Sequence, residues 1–217
     1  MNFTLGNLQN VLRSIGRGVV FISDYWDGVA DISLTWLGDT EGEITVTPTQ
    51  EVVGLTATEL TGSELHNAYV QGSDVTVQIP LWIADPALRA TISPTGSASG
   101  GRSRRTPAAM KTMAIFPEEL FWDTTTSDYE VLAYTTAGGW TVNGTALTAA
   151  QTALLGQSIW IWKGFFTSPP ITYRHEEGGK AVETVSFRSI HDFTKPENHQ
   201  VYTMGSPATA TIVIDVP

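Results

Sequence analysis

The chain contains no cysteine, which excludes disulfides and thiolate metal sites and leaves the redox compartment open. Charged residues make up only 16% of it, against a usual share of about 25%. Thr, Ser, Gly and Ala take up the difference, a composition that fits a β-rich protein with a partner-covered or Thr-rich surface. No apolar run approaches the roughly 20 residues of a membrane-spanning helix; the longest candidates are residues 18–22 and 158–162. The N-terminus shows no secretory hydrophobic region, which predicts a protein made and used in the soluble phase. Chemistry-bearing motifs are missing too. Gly96 to Gly101 lacks the Lys-Ser/Thr ending of a phosphate loop, and no Gly-x-Ser-x-Gly elbow occurs. The most telling absence is of bases: residues 18 to 88 hold eleven acids and neither lysine nor arginine.

The bases gather elsewhere. Arg102, Arg104, Arg105 and Lys111 put four of the twelve within ten residues. They fall in or beside a Ser/Gly/Pro-rich stretch, residues 93–107, of the kind that is functional or mobile inside a compact domain. A net charge of −10 argues against a protein that grips nucleic acid, since grip needs clustered bases on phosphates. It leaves open a surface past which DNA slides without sticking. At 217 residues the chain suits one domain with a substantial core.

Most of the pattern is strand-like. Residues 19–23 are an apolar run. Residues 29–37 alternate, with Ile32, Leu34 and Trp36 opposing Ser33, Thr35 and Leu37. Residues 43–47 place Ile44 and Val46 on one side, and residues 38–42 suggest a hairpin loop before them. Residues 51–72 are polar and show no clear element. Residues 74–81 alternate again, with Val75, Val77, Ile79 and Leu81 together, and Pro80 predicts an edge or a strand end. Further strands are expected at 111–116, 129–134, 158–162 (buried on both faces), 171–175, 180–190 and 209–216. The last two before the terminal strand would flank a hairpin turn at 176–179. Asn143-Gly144 is a hairpin-turn signal, and Thr148 to Gln151 is a capping box opening a short helix. Asp85 and Pro86 predict a helix start running to Ile92. Thr4 caps a helix on which Leu5, Leu8, Leu12 and Ile15 share a side, either core or an arm that docks on a neighbour.

The candidate sites are weak as chemistry. His175, His191 and His199 match no metal-ligand spacing, and Glu118-Glu119 lacks a recognisable sugar groove. No metal, cofactor or catalytic residue is therefore expected. Trp160 and Trp162 share a strand face and read as core. Trp26, in an Asp-rich link, reads as exposed or half-exposed, either a covered loop aromatic or an anchor at a subunit interface.

Three segments resemble the major tail tube proteins of long-tailed bacteriophages. They are Gly42-Glu43-Ile44-Thr45-Val46-Thr47-Pro48-Thr49-Gln50-Glu51, Gly72-Ser73-Asp74-Val75-Thr76-Val77-Gln78-Ile79-Pro80-Leu81, and the stretch 185–192 continued by 201–205. The resemblance implies an all-β fold, a β-sandwich or partial barrel with one or two short flanking helices and a long inter-subunit loop. It implies one domain over residues 1–217 with a mobile basic loop over about 93–111; residues about 1–17 and about 138–156 depart from the family's plain pattern and read as an N-terminal helical arm and a possible insertion. It further implies a non-enzymatic virion protein, assembled in the host cytoplasm, whose copies form hexameric rings that stack into a hollow tube. Its partners would be itself and other tail proteins: tape measure, tail terminator and tail tip. Phage DNA would pass without specific binding, and no membrane would be bound. Arg102, Arg104, Arg105, Lys111 and Trp26 are then the candidate contacts between subunits or rings. Two other classes share the composition: another virion part (a tail terminator, neck or capsid decoration protein), and a carbohydrate-binding β-sandwich or glycosidase using Trp26 and Trp140 as sugar platforms.

Overall fold

The computed structural model describes residues 18–27, 31–38, 40, 42–56, 65–82, 90–93, 108–126, 128–167, 182–196, 199–205 and 212–215, of which 52–56, 65–71, 82 and 212–215 are described by backbone alone. Three strands form its centre: β1 (Gly18–Asp24), β5 (Lys111–Pro117) and β11 (Ile159–Phe166). Their apolar runs leave almost no position for water. β5 is buried at six of its seven residues, and β1 and β11 are nearly as dry. Because successive side chains point to opposite faces, such runs require a layer on each side.

Both layers are present. On one side Phe21, Ala114, Phe116, Trp160 and Trp162 meet Ile32 and Leu34 of β2 (Ile32–Trp36). Leu132 of β8 (Leu132–Thr135), Trp140 and Val142 of β9 (Gly139–Val142) and Leu155 of a helix, α1 (Ala149–Leu155), complete that core. On the other side Val20, Ile22, Met113, Ile115, Ile159 and Ile161 meet β4 (Leu65–Trp82) through Val75, Val77, Ile79 and Leu81. Val185 and Phe187 of β12 (Val182–Ser189), Val46 of β3 (Thr45–Thr56) and Ile92 close this second layer.

The strands belong to one curled, half-barrel sheet, so the fold is all-β and mostly antiparallel. The remaining members are β10 (Thr145–Ala146), β13 (Thr203–Met204) and β14 (Ile212–Asp215), while β6 (Trp122–Asp123) and β7 (Asp128–Tyr129) make a separate ribbon. The order is β10-β9-β8-β14-β2-β1-β5-β11-β12-β4-β3, with β13 on β11. Among the described residues only β14 and β2 pair in parallel.

Several expectations hold. Asn143 (φ 47°) and Gly144 (φ 73°) make the β9–β10 turn, the doubly left-handed geometry that favours Asn-Gly. Thr148 and Gln151 form both bonds of the capping box at α1. Pro80, by contrast, ends no strand, since β4 runs on to Trp82 beside β12; the β3 ladder stops at Gln78, so the proline's missing N–H costs no pairing on that side. The strand expected at 129–134 is split between β7 and β8, which belong to different sheets, and a second expectation fails as well. Residues 38–42 are not a hairpin loop, because β2 pairs with β1 and β14 whereas β3 pairs with β4. The cause is the layering: Ile32 and Leu34 serve the first core and Val46 the second, so the chain must cross between layers. Gly38 (φ 127°) and Gly42 (φ 118°) provide the backbone freedom for that crossing. The helix expected over 4–15 and the strand at 171–175 with its turn lie outside the described residues, as does most of the helix expected from Asp85, of which residues 90–92 are helical.

Candidate assembly surface

The expected contact residues separate. Arg102, Arg104 and Arg105 lie outside the described residues. Lys111 belongs to β5, and its ammonium lies 2.6 Å from the carboxylate of Asp24 across the β1–β5 pair. Trp26 corrects the expectation of an exposed ring: it is 4% exposed. Its indole packs on Trp160 and Trp162, with centroids 6.2 and 5.7 Å away. The Asp-rich neighbourhood concealed this because its cover comes from a distant segment. Lys195 lies over Trp162, 4.1 Å from the ring centroid, and caps Trp26 at 5.9 Å. Trp140 is equally closed, at 9% exposure, so neither ring offers a flat sugar platform.

The Lys195 segment is held by a buried carboxylate. Asp192 accepts hydrogen bonds from the Tyr25 hydroxyl at 3.1 Å, the Thr194 hydroxyl at 2.7 Å and the Thr194 amide at 3.1 Å. Lys195 also donates to the Asp27 carbonyl. Burial pushes the Tyr25 phenol above its ordinary value, opposed by the Thr194 hydrogen bond and reinforced by Asp192. Burial pushes the Lys195 ammonium down, while Asp192 and Asp27 pull it back. These contacts pin the end of β1 to the segment after β12. They form a structural clasp, with His191 stacked on the exposed Phe193 beside it. Among the described residues no group of three or more His, Cys, Asp or Glu is placed to hold a metal ion. Glu118 accepts a hydrogen bond from the Tyr129 hydroxyl at 2.7 Å.

The largest feature was not visible in the sequence. Residues 51–72, polar and without clear periodicity, are part of a long ribbon. β3 and β4 pair from Thr45↔Gln78 out to Thr56↔Leu65, with register shifts after Glu51 and Leu55. β12 accompanies β4 only from Thr76 to Trp82. The ribbon beyond Val75 therefore has two strands and two open edges among the described residues, and β3 ends the sheet along its whole length.

The direction of the open groups follows from one hydrogen bond. The Val75 amide donates to the Ser189 hydroxyl at 2.6 Å, on the β12 side. In an antiparallel ladder facing residues both point toward each other or both away. Pro48, which faces Val75, must then turn its nitrogen and carbonyl outward. The same parity turns the amides of Val46 and Gln50 outward. Pro48 thus removes one donor from the open edge and costs the β3–β4 ladder nothing, the usual position for proline in a sheet.

Over residues 45–49 of β3, 74–78 of β4 and 186–188 of β12 the side turned away from the core is polar, and farther along Pro80 opposite Thr184 and Val182 opposite Trp82 take positions on the same side. Thr45, Gln78 and Ser186 form one row, Thr47, Thr76 and Arg188 the next, and Thr49 faces Asp74 in a third. Arg188 bridges diagonally to Asp74, with Nη2 2.9 Å and Nε 3.2 Å from Oδ2. Among the described residues Arg188 is the only base on this face.

No protein-family model matches the chain, and no curated protein matches it. The class that the fold defines is an all-β protein with a half-barrel sheet that, among the described residues, ends in a long open edge.

Proposed function

We propose that this chain is a structural virion protein, the major tail tube subunit of a long-tailed bacteriophage, which polymerises into stacked rings around a bore for phage DNA. The observation that carries this reading is the open edge. A sheet that ends in a 12-residue strand is a template for another chain unless something covers it. Among the described residues two open edges of similar length lie on the same ribbon, the outer edge of β3 and the edge of β4 that β12 leaves uncovered. Rotation about an axis along the strands preserves their direction. In a ring, β3 of one copy would then lie antiparallel beside β4 of the next, a head-to-tail contact that repeats until it closes. Closure removes every free edge at once.

Composition supports the same reading. The low charged fraction suits a chain whose surface is largely taken up by its own copies. The base-free stretch from residue 18 to 88 suits a wall along which a polyanion passes without adhering. The basic Arg102–Arg105 cluster would reach acids of the next ring. Tape measure, terminator and tip proteins would be the remaining partners, and the tail of the virion its location.

Negative-stain microscopy of the purified protein at high concentration, alone and seeded with tail initiator complexes, tests the proposal. Hollow tubes with a regular ring repeat are expected. A protein that stays monomeric under every condition contradicts it, and single rings that never stack point to a terminator or neck role.

A further inference from the structure

Resting on the tube reading, we infer that the face of β3, β4 and β12 left uncovered among the described residues lines the bore, and that Asp74 is a masking residue holding the one base described on that face, Arg188, away from passing DNA. The placement follows from where the body of the subunit lies. Val75, Val77, Ile79, Leu81, Val185 and Phe187 all turn to the second core, so the bulk of the chain sits on one side of this part of the sheet. A closed ring of such sheets has room for the bodies only on its convex side. The hydroxyl- and amide-rich face is left on the concave side.

That face bears on DNA passage through its charges. Hydroxyls and amides bind phosphate weakly, whereas each free arginine that neutralises a phosphate releases a counterion and adds affinity. Arg188 is more than half exposed, yet its guanidinium places Nε and Nη2 on a single oxygen of Asp74. Asp74 thus occupies the Nε–Nη2 edge of the guanidinium and sets a negative charge against it, which weakens the pull of the remaining Nη1 edge on a phosphate. With Glu51 on the same face, the described wall has no unmasked cation. Repeated around each ring and along the stack, an unmasked Arg188 would instead form a ladder of phosphate contacts along the bore.

The test measures retention of a short fluorescein-labelled DNA duplex at low salt by fluorescence anisotropy, on monomers and on assembled tubes. Wild type should retain almost none. Asp74→Asn should raise retention severalfold, with log affinity falling by about 0.9 per log unit of salt for each phosphate engaged. Asp74→Asn combined with Arg188→Gln should return to the wild-type level. Glu51→Gln, which removes an acid from the same face without releasing a base, should leave retention unchanged. Asp74→Ser serves if circular dichroism shows Asp74→Asn to be misfolded. Masking is refuted if the single variant binds no better than wild type, if the double variant binds as well as the single, or if Glu51→Gln gives the same gain. Retention gained by monomers and not by tubes would refute the bore placement. Absence of tubes in the wild-type micrographs refutes the tube reading itself, and the monomer titration still decides the masking.

Discussion

Gly164 has no room for a side chain. A Cβ there would lie 2.5 Å from Cε1 of Phe187 and 2.6 Å from the Arg188 carbonyl oxygen, at the point where the β11–β5 register shifts. Gly164→Ala must push the Phe187 ring, itself packed edge-on against Phe166 at 4.9 Å, and is expected to cost about 1–3 kcal/mol in urea unfolding. Tyr25 gives a pH-dependent case. Tyr25→Phe removes a hydrogen bond to the buried Asp192 and should cost about 1 kcal/mol near neutral pH. The folded phenol titrates above its unfolded value. Its contribution is therefore complete below that unfolded value of about 10 and is lost as pH rises through the folded one. Lys195, titrating below its ordinary value, changes with the opposite sign. The stability gap between wild type and Tyr25→Phe, followed by chemical denaturation up the alkaline limb, isolates the tyrosine and should shrink there. A gap that widens with alkalinity contradicts this account of the clasp.

At the scale of elements, Gln50→Pro separates folding from assembly. The Gln50 amide faces outward, so the β3–β4 ladder loses no bond, and a second proline on the open edge removes a donor that a neighbour would use. The variant should keep the wild-type circular dichroism spectrum and form markedly fewer tubes; full tube yield would show that β3 is not the joining edge. What the sequence revealed at this scale follows burial. β1, β5 and β11 were legible because layers on both faces demand unbroken apolar runs such as Ile159 to Trp162. β2 and β12 were legible because one covered face imposes alternation, as in Glu183, Val185, Phe187 and Ser189. The ribbon past Glu51 was not, since two strands with no third neighbour among the described residues are under no such constraint. The crossing at residues 38–42 was hidden for a related reason: a glycine-flanked link looks the same whether it turns back or changes layer. Trp26 was misplaced because Lys195, far along the chain, supplies its cover.

For the whole molecule, a chain poor in charge and a half-barrel sheet with an end left open among the described residues both favour the proposed contact between copies. Replacing Arg102, Arg104 and Arg105 together by Ala should slow or block tube growth with an unchanged melting temperature, measured by light scattering and calorimetry; unchanged growth would remove that cluster from the assembly. In the proposed assembly copies complete one another's sheets through β3, and amide hydrogen exchange reads out that pairing. The outward amides of Val46 and Gln50 should exchange rapidly in the monomer, and at least one of them should become strongly protected in the assembled state. Rapid exchange at both positions in assembled material, with β3 still open, would contradict the account.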